Sequence, residues 1–301
     1  MKQISKVTQD FLEDSYIDAI DIGIVDFDKK TFESKLFSNP LLEDEKNKIY
    51  FDLASVSKPL VNGIGFLACK KQISDEMKLV LNHQGGLPSW GLLSKDTWKD
   101  TILNYKIQKS KTLYSDFSAL RFYLECEKLG LNLKKECENY WDSEIVFWKD
   151  LKDDFKTVQN GFVKQKENFR AVHDPNAYNL DEFVSHAGLF GTANGVAKTL
   201  LKLDKDFNLL DLMDESMQKD ESRFVNSWDR VEDISNTFAG IGCSNRTFGH
   251  LGFTGTSIWI DCKKKLGHII LSNATKLYWY DKKSFNRYRK TIGELVWQNY
   301  S

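Results

Sequence analysis

The chain has 301 residues, of which 41% are hydrophobic and 28% charged, and its 42 basic residues nearly balance its 43 acidic ones. This composition excludes a disordered chain, and a net charge of −1 creates no field that would gather nucleic acid or an anionic membrane. The best apolar stretch, residues 61–69, is much shorter than the roughly 18 residues that a membrane span needs. We therefore expect a globular protein that binds no nucleic acid and does not span a membrane.

The N-terminus and the cysteines bear on the compartment. Residues 1–20 include lysines, but they contain neither an apolar run of signal-peptide length nor a small-residue cleavage site. The five cysteines are scattered and none forms a C-x-x-C pair, which indicates neither a disulfide framework nor a zinc site. We expect a cytoplasmic protein, or a periplasmic one if the chain is a trimmed form of an exported protein. The oligomeric state stays open.

Strand-like patterns lie near both ends of the chain. Runs that are rich in β-branched residues or that alternate polar and apolar side chains cover residues 17–27, 31–37, 256–261 and 268–273. Between the last two runs, three consecutive lysines at 263–265 suit a solvated hairpin turn. Strands at both ends predict an antiparallel sheet that the two chain ends complete together.

Helical patterns occupy much of the remainder. Apolar residues recur at helical spacing over 55–71 and 282–300, and 94–170 reads as a largely helical region. Residues 82–90 carry the Gly-Gly pair and the proline of a loop, and 173–195 mixes loop and helix. The fold class is therefore α+β, with a helical insertion between the strands.

The strongest chemical signal is the segment 51–59, which reads FDLASVSKP. Ser55 and Lys58 lie three residues apart at a predicted helix start, so their side chains share one face. A serine hydroxyl becomes a nucleophile when a neighbouring base takes its proton, and a lysine serves as that base only if its pKa is lowered. Ser57 lies between the two and points to another face. The S-x-x-K spacing alone is common by chance.

Further motifs make the signal specific. Tyr114-Ser115-Asp116 gives a Y-x-[ND] triplet, and FGHLGFTGT at 248–256 precedes a strand. Together with S-x-x-K they resemble the three-motif signature of penicillin-recognising serine enzymes. The closer resemblance is to the class C β-lactamase-like family of serine hydrolases and D-amino-acid peptidases. It rests on six segments in the family's order, at residues 51–59, 81–88, 114–117, 172–177, 186–190 and 249–261.

The resemblance implies a role for each matching residue. Ser55 would be the acylated nucleophile, and Lys58 would accept its proton or keep a neighbouring base anionic. Tyr114 would relay a proton to the leaving group, or act as the base itself as a lysine-stabilised phenolate. Asp116 would orient the substrate amide or Lys58. His250 would contact a substrate carboxylate or tune Tyr114, and with an ordinary pKa near 6.5 it would hold that carboxylate better at pH 6 than at pH 8.

The resemblance also implies an oxyanion hole and a fold. The backbone N–H groups of Ser55 and Phe253, with Gly252 beside them, would stabilise the tetrahedral intermediate. The fold would be that of β-lactamases and DD-peptidases, an antiparallel sheet flanked by helices within a single domain, 1–301. Its sheet part would cover about 1–64 and 186–301 and its helical part about 65–185, with the active site between them. No cofactor and no metal are implied.

Departures from the family pattern bear on the substrate. Leu251 replaces the usual hydroxyl residue of the third motif, acidic residues follow Ala177, and the strand end reads Ser272-Asn273-Ala274. The substrate is therefore expected to be a small molecule or peptide: a D-amino-acid peptide of cell-wall type, a small ester, or a β-lactam as a poor substrate. Two alternatives stay open. One is a non-catalytic sensor of penicillin-like or peptidoglycan fragments, and the other is an acyltransferase.

The remaining histidines and tryptophans have simpler interpretations. His83, His173 and His186 lack the spacing and the carboxylate partner of a metal site, so we expect them to pin loops by hydrogen bonds. Trp90 and Trp259 flank motifs. We expect Trp259 to pack in the core.

Overall fold

The computed structural model describes residues 1–39, 48–163, 165–277 and 280–300. Its strands are β1 (Ala19–Asp26), β2 (Thr31–Ser38), β3 (Ile49–Asp52), β4 (Ile145–Phe147), β5 (Lys156–Thr157), β6 (Phe162–Val163), β7 (Lys166–Glu167), β8 (Leu189–Gly191), β9 (Phe224–Val225), β10 (Trp228–Arg230), β11 (Thr247–Gly252), β12 (Thr256–Asp261) and β13 (Leu266–Ser272). Its α-helices are α1 (Lys2–Glu13), α2 (Ile64–Cys69), α3 (Asp75–Leu81), α4 (Trp98–Asn104), α5 (Asp116–Lys128), α6 (Leu133–Glu138), α7 (Pro175–Leu180), α8 (Ala193–Phe207), α9 (Leu209–Lys219) and α10 (Lys282–Asn299). None of the helices in these ranges is long and apolar enough to cross a bilayer.

The main sheet joins the two ends of the chain. Its seven strands lie in the order β2-β1-β13-β12-β11-β10-β9, and every neighbouring pair is antiparallel. Strand β1, from the start of the chain, pairs with β13, from near its end, with Ile22 opposite Ile270. The predicted antiparallel sheet and the α+β class are confirmed.

Helices cover both faces of this sheet. Because successive side chains of a strand point to opposite faces, Ile269 packs into the core that includes Val196 of α8, whereas Ile270 packs into a second core with Ile292 of α10. The first seven residues of β1 are all buried, as expected for an interior strand that is covered on both faces. Helices α1 and α10 contact each other on the second face.

A second, smaller sheet leads into the segment that carries Ser55. Its strand order is β4-β8-β3-β5, with β3 antiparallel to β8 and parallel to β5. Strand β3 ends at Asp52. The helical stretch predicted over 55–71 is real but irregular: a 3-10 turn (Ala54–Val56), a π-helical turn (Pro59–Gly63) and then α2. Pro59 stands at the first position of the π-helical turn, where its missing N–H is tolerated.

The prediction of a largely helical region over 94–170 is wrong in its second half. Helices α4, α5 and α6 lie within 98–138, but 145–167 contains four short strands and no α-helix. Ile145 and Val146 suit a strand because they are β-branched, and β4 pairs with β8 of the small sheet. Aromatic residues in this segment mimic helical spacing in the sequence. The division into a sheet part and a helical part stays a prediction.

Candidate active site

A strained turn presents Ser55 after strand β3. Ala54, which precedes it, has a φ of +47°, a region that residues with a Cβ rarely adopt. The buried carboxylate of Asp52 holds this turn: one oxygen accepts the Ala54 N–H at 2.8 Å and the other the His173 N–H at 2.6 Å. Burial raises the pKa of Asp52 to about 7, although these two N–H groups oppose the shift. Ser55 itself is half-buried.

The turn between β11 and β12 packs directly against this segment. The Thr254 hydroxyl donates to the Asp52 carbonyl at 2.7 Å, and the Thr256 hydroxyl donates to the Leu53 carbonyl at 2.9 Å. Gly252 has no room for a side chain, because a Cβ would lie 2.6 Å from the Leu53 oxygen and 1.9 Å from Thr256 Oγ1. Gly252 therefore permits the close approach of strand β11. Phe253 follows at the turn, with 52% of its surface exposed.

Lys58 is fully buried and bonded on several sides. Its Nζ lies 3.0 Å from the Ser55 Oγ and 2.9 Å from the His186 carbonyl oxygen, and 2.7 Å from Asp116 Oδ1. The same Nζ is 5.0 Å from the centre of the Tyr114 ring. The structure thus brings together Ser55, Lys58, Tyr114 and Asp116, which the sequence places in two separate motifs.

The charges around Lys58 determine its protonation. Burial acts to lower the pKa of Lys58, but the Asp116 carboxylate and then Tyr114 outweigh it, and the net pKa is raised above its usual value. Lys58 is therefore an ammonium at working pH. Lys58 would need a lowered pKa to act as a free base, and its pKa is raised instead.

Tyr114 is also protonated at rest. Burial of its hydroxyl end raises the pKa of Tyr114, and the opposing effects of Lys58 and of hydrogen bonds with Lys58 and Ser55 do not cancel this. The residue as a whole keeps 36% of its surface exposed. The resting site holds a phenol, so the lysine-stabilised phenolate that the resemblance implied is wrong for this state.

His250 lies beside Tyr114, but it is neutral. Their ring centres are 5.8 Å apart, and His250 is 3% exposed. Burial, followed by the nearby charge of Lys58, lowers the pKa of His250 to about 3. Its Nδ1 lies 2.8 Å from the Leu251 carbonyl oxygen. Because a carbonyl only accepts, Nδ1 carries the proton and Nε2 is an acceptor. The expected change in His250 charge between pH 6 and 8 is therefore wrong.

The helix that carries Asp116 is capped by its neighbour. Ser115 caps α5 by accepting the Ser118 N–H at 2.9 Å, and its own N–H donates to His83 Nδ1 at 3.2 Å. This leaves the Asp116 carboxylate free to face Lys58. His83 pins the loop to the helix start, as predicted. It also packs against Tyr114, with ring centres 4.9 Å apart.

Asp174 and His186 support Lys58 from the other side. His186 Nε2 lies 2.8 Å from Asp174 Oδ1, while its carbonyl receives Lys58. Donor atoms of Asp116, Asp174 and His186 all lie within 4.8 Å of one another, a grouping that resembles a metal site. The Lys58 ammonium already bonds Asp116 and supplies the positive charge there, so we assign no metal.

Three site residues escaped the sequence prediction. Asp52 holds the strained turn and Asp174 fixes His186. The positive charge of Arg223 helps to lower the pKa of His250, and Tyr114 helps to raise the pKa of Arg223. Asp52 and Asp174 stand inside the matching motifs, so the motifs themselves were the available signal. Arg223 lies in no motif.

Burial separates Ser57 from Ser55, and Trp259 from Trp90. Ser57 is fully buried, and its hydroxyl accepts the Leu189 N–H at 3.2 Å, so it is unavailable to a substrate. Trp259 is 3% exposed and packs in the core, as predicted, whereas Trp90 is 49% exposed.

Comparisons with known proteins agree with the fold. A family model described as β-lactamase matches residues 146–290. A β-lactamase from Mycobacterium bovis is 15% identical, with a TM-score of 0.60 over 97% of this chain and 98% of that one. EstCE1, a hydrolase with promiscuous acyltransferase activity, is 14% identical, with a TM-score of 0.66 over 98% of each chain. A class C β-lactamase from Rhodobacter sphaeroides is 13% identical, with a TM-score of 0.64 over 98% and 99%. No curated protein sequence matches the chain.

Proposed function

We propose that this chain, which has the fold of the class C β-lactamases and related serine hydrolases, is itself a serine hydrolase that forms an acyl-enzyme on Ser55. The observation that carries the proposal is the fully buried Lys58 ammonium, bonded at once to Ser55 and Asp116. Burying a lysine is costly even when it is paired. An ionisable pair buried against a half-exposed serine hydroxyl is typical of an activated nucleophile.

Asp116 accepts the proton of Ser55 through Lys58. As the Ser55 oxygen bonds to the substrate carbonyl carbon, its proton passes to Lys58 while Lys58 passes one to Asp116. The lysine remains an ammonium throughout, in agreement with its raised pKa. The backbone N–H groups of Ser55 and Phe253 are the proposed donors to the oxyanion.

Tyr114 protonates the leaving group. As the bond from the carbonyl carbon to the leaving oxygen or nitrogen breaks, the phenol gives its proton to that atom and recovers one from Asp116 through Lys58. In deacylation, water attacks the carbonyl carbon of the acyl-enzyme and its proton passes through Lys58 to Asp116. As the bond from that carbon to Ser55 Oγ breaks, Lys58 protonates Oγ and takes the proton back from Asp116, so the free acid leaves and the resting site is restored. The hydrogen bonds of Tyr114 with Lys58 and Ser55 support this assignment.

The charges around the site favour a neutral substrate. The His250 Nε2 is an acceptor, which a substrate carboxylate cannot bind, and Leu251 supplies no hydroxyl. Arg223 is engaged by both carboxylate oxygens of Asp229, at 2.9 and 3.0 Å. We therefore propose a neutral carboxylic ester, ahead of a carboxylate-bearing D-amino-acid peptide or β-lactam.

Mass spectrometry of the intact protein tests the acyl-enzyme. A small fluorophosphonate is expected to add one label, and peptide mapping is expected to place it on Ser55. Ser55→Ala should take up no label, and the control Ser57→Ala, if folded, should label normally. Label on Ser57, or no label at all, would overturn the proposal.

Turnover distinguishes the alternatives. We expect p-nitrophenyl acetate to be hydrolysed in repeated cycles, and benzylpenicillin to be turned over far more slowly. A stable adduct without turnover of either compound would identify a sensor. If an added alcohol takes the acetyl group in place of water, so that its acetate ester forms and less acetate is released, the protein is a transferase.

A further inference from the structure

Four aromatic rings lie in contact beside the buried ammonium of Lys58. The ring centre of Tyr114 lies 4.9 Å from that of His83 and 5.8 Å from that of His250. It lies 5.5 Å from that of Phe224, with the two planes inclined by 34°. We infer that Phe224 is a positioning residue, which holds the Tyr114 phenol in the orientation that delivers a proton to the leaving group. The inference rests on the proposed function.

Phe224 contacts each of the other three rings. Its centre lies 4.6 Å from that of His83, edge to face at 80°, and 6.3 Å from that of His250. Tilted arrangements are favoured between aromatic rings because the positive edge of one meets the negative face of the other. With only 3% of its surface exposed, Phe224 has little freedom to move away. Its contacts therefore limit how far the Tyr114 ring can turn.

The backbone on either side of Tyr114 is fixed, but its side chain needs further support. The Leu113 N–H donates to the His83 carbonyl oxygen at 2.9 Å, and the Ser115 N–H donates to His83 Nδ1 at 3.2 Å. These bonds leave the two side-chain torsions of Tyr114 free. The hydrogen bonds of its hydroxyl act only at the far end of the ring, and their partners change as the proton moves. Packing against the ring is what keeps the hydroxyl in place during that change.

The main sheet holds Phe224 from a different part of the chain. Phe224 begins β9 and pairs with Asp229 of β10. Both carboxylate oxygens of Asp229 accept hydrogen bonds from Arg223, and the guanidinium carbon of Arg223 lies 5.1 Å from the centre of the Phe224 ring. Val225, whose side chain points to the other face of the strand, packs into the core that includes Ile269. Phe224 is thus anchored independently of the loop that carries Tyr114.

The need for this proton transfer depends on the leaving group. As the bond from the carbonyl carbon to the leaving oxygen breaks, the Tyr114 phenol gives its proton to that oxygen and an alcohol departs. Tyr114 then recovers a proton from Asp116 through Lys58. An alkoxide is too basic to depart without the proton, whereas p-nitrophenolate is stable as an anion. Because proton transfer needs a short and aligned contact, a Tyr114 ring that has turned away should slow alkyl esters much more than p-nitrophenyl esters.

Two esters with the same acyl group test the inference. Ethyl acetate and p-nitrophenyl acetate both acetylate Ser55, so they differ only in the leaving group. In Phe224→Ala, we expect kcat/KM to fall about 10- to 100-fold further for ethyl acetate than for p-nitrophenyl acetate. Tyr114→Phe, which removes the proton donor, should show the same selectivity and a larger loss. Phe224→Leu keeps a buried apolar side chain but no flat ring, so its selective loss should be about three- to tenfold. This variant decides the question if Phe224→Ala fails to fold.

The ratio of the two kcat/KM values separates positioning from a merely structural role. A partial loss of folded protein lowers both values by the same factor and leaves their ratio unchanged. Val225→Ala, at the neighbouring buried residue of β9, should therefore leave the ratio unchanged. A change of the ratio in Val225→Ala as large as that in Phe224→Ala would overturn the inference.

The remaining outcomes distinguish this inference from the proposed function. If Tyr114→Phe discriminates between the two esters but neither Phe224 variant does, the inference is overturned and the proposed function stands. If Tyr114→Phe does not discriminate, the proposed role of Tyr114 fails and the inference fails with it. If a fluorophosphonate does not label Ser55 of the unmodified protein, the proposed function fails as a whole.

Discussion

The carboxylate of Asp116 lies 2.7 Å from the ammonium of Lys58, which is entirely shielded from solvent. Burial alone would lower the pKa of this lysine and prepare it to act as a base. The carboxylate reverses that effect, and the net pKa is raised. The family pattern also allows asparagine at this position, so the identity of residue 116 decides whether a proton acceptor is present beside the lysine.

Lys58→Arg should lose activity almost as completely as Lys58→Ala. Arginine keeps the charge, but its bulkier guanidinium does not fit the buried space between Ser55, Asp116 and His186, and it passes on a proton poorly. We expect both variants to fall by about 10²–10⁴ in kcat/KM for p-nitrophenyl acetate. An arginine variant within threefold of the unmodified protein would show that Lys58 acts only as a fixed charge.

Asp116→Asn should slow acylation by about 10²–10³ at pH 7, because the proton from Ser55 then lacks an acceptor. The same change removes the main influence that raises the pKa of Lys58, so burial should dominate and some lysine should become neutral at alkaline pH. Activity of the variant should therefore rise with pH more steeply than that of the unmodified protein. Stopped-flow acylation rates from pH 6 to 10 measure both effects.

The control for this experiment is Asp26→Asn, at the end of β1 away from the site. It should match the unmodified protein at every pH. If Asp116→Asn acylates at the normal rate with an unchanged pH profile, Asp116 only orients Lys58.

His250 should make no contribution to pH dependence between 6 and 8. With a pKa of about 3 it is neutral throughout this range. We compare two esters that differ only in one group: a succinate monoester with a free carboxylate, and the same ester with that carboxylate methylated. The ratio of their KM values should stay constant from pH 6 to 8. His250→Lys should improve binding of the anionic ester by up to about tenfold. The prediction is wrong if KM for the anionic ester rises tenfold from pH 6 to 8 and this rise disappears in His250→Ala. That result would show that His250 loses a proton in this pH range.

The buried carboxyl of Asp21 should make the protein less stable at pH 8 than at pH 5. Burial raises its pKa to about 7, while the Ala193 N–H opposes the shift and Glu144 adds to it. Because the native state holds this proton more tightly than the unfolded chain, the associated stability is complete below about pH 4 and is lost as the pH rises through 7.

Asp21→Asn keeps an acceptor for the Ala193 N–H and removes the charge. Denaturant titrations should show that it reduces the difference in unfolding free energy between pH 5 and pH 8 by roughly 2–4 kcal/mol. Asp26→Asn should leave that difference unchanged, because Asp26 has a lowered pKa and is ionised at both pH values. An unaltered difference in Asp21→Asn would contradict the assignment.

The sequence predicted the parts of this protein that depend on local pattern. Strands β1, β2, β12 and β13 and helix α10 follow from periodicity, because burial on a strand or helix face imposes a repeat on consecutive residues. The region over 139–170 was predicted wrongly, because its aromatic residues recur at spacings that suit a helix although its strands pair with distant segments of the chain.

The motifs by themselves determined which residues meet. Ser55, Lys58, Tyr114 and Asp116 are brought together as the motifs indicate, since S-x-x-K fixes two of them on one turn and the Y-x-D triplet supplies the others. Only the tertiary structure decided what those residues can do. The pKa values of Lys58, Tyr114 and His250 depend on how deeply each group is buried and on how close it lies to other charges. Both depend on residues that are far apart in the chain and meet only in the folded protein.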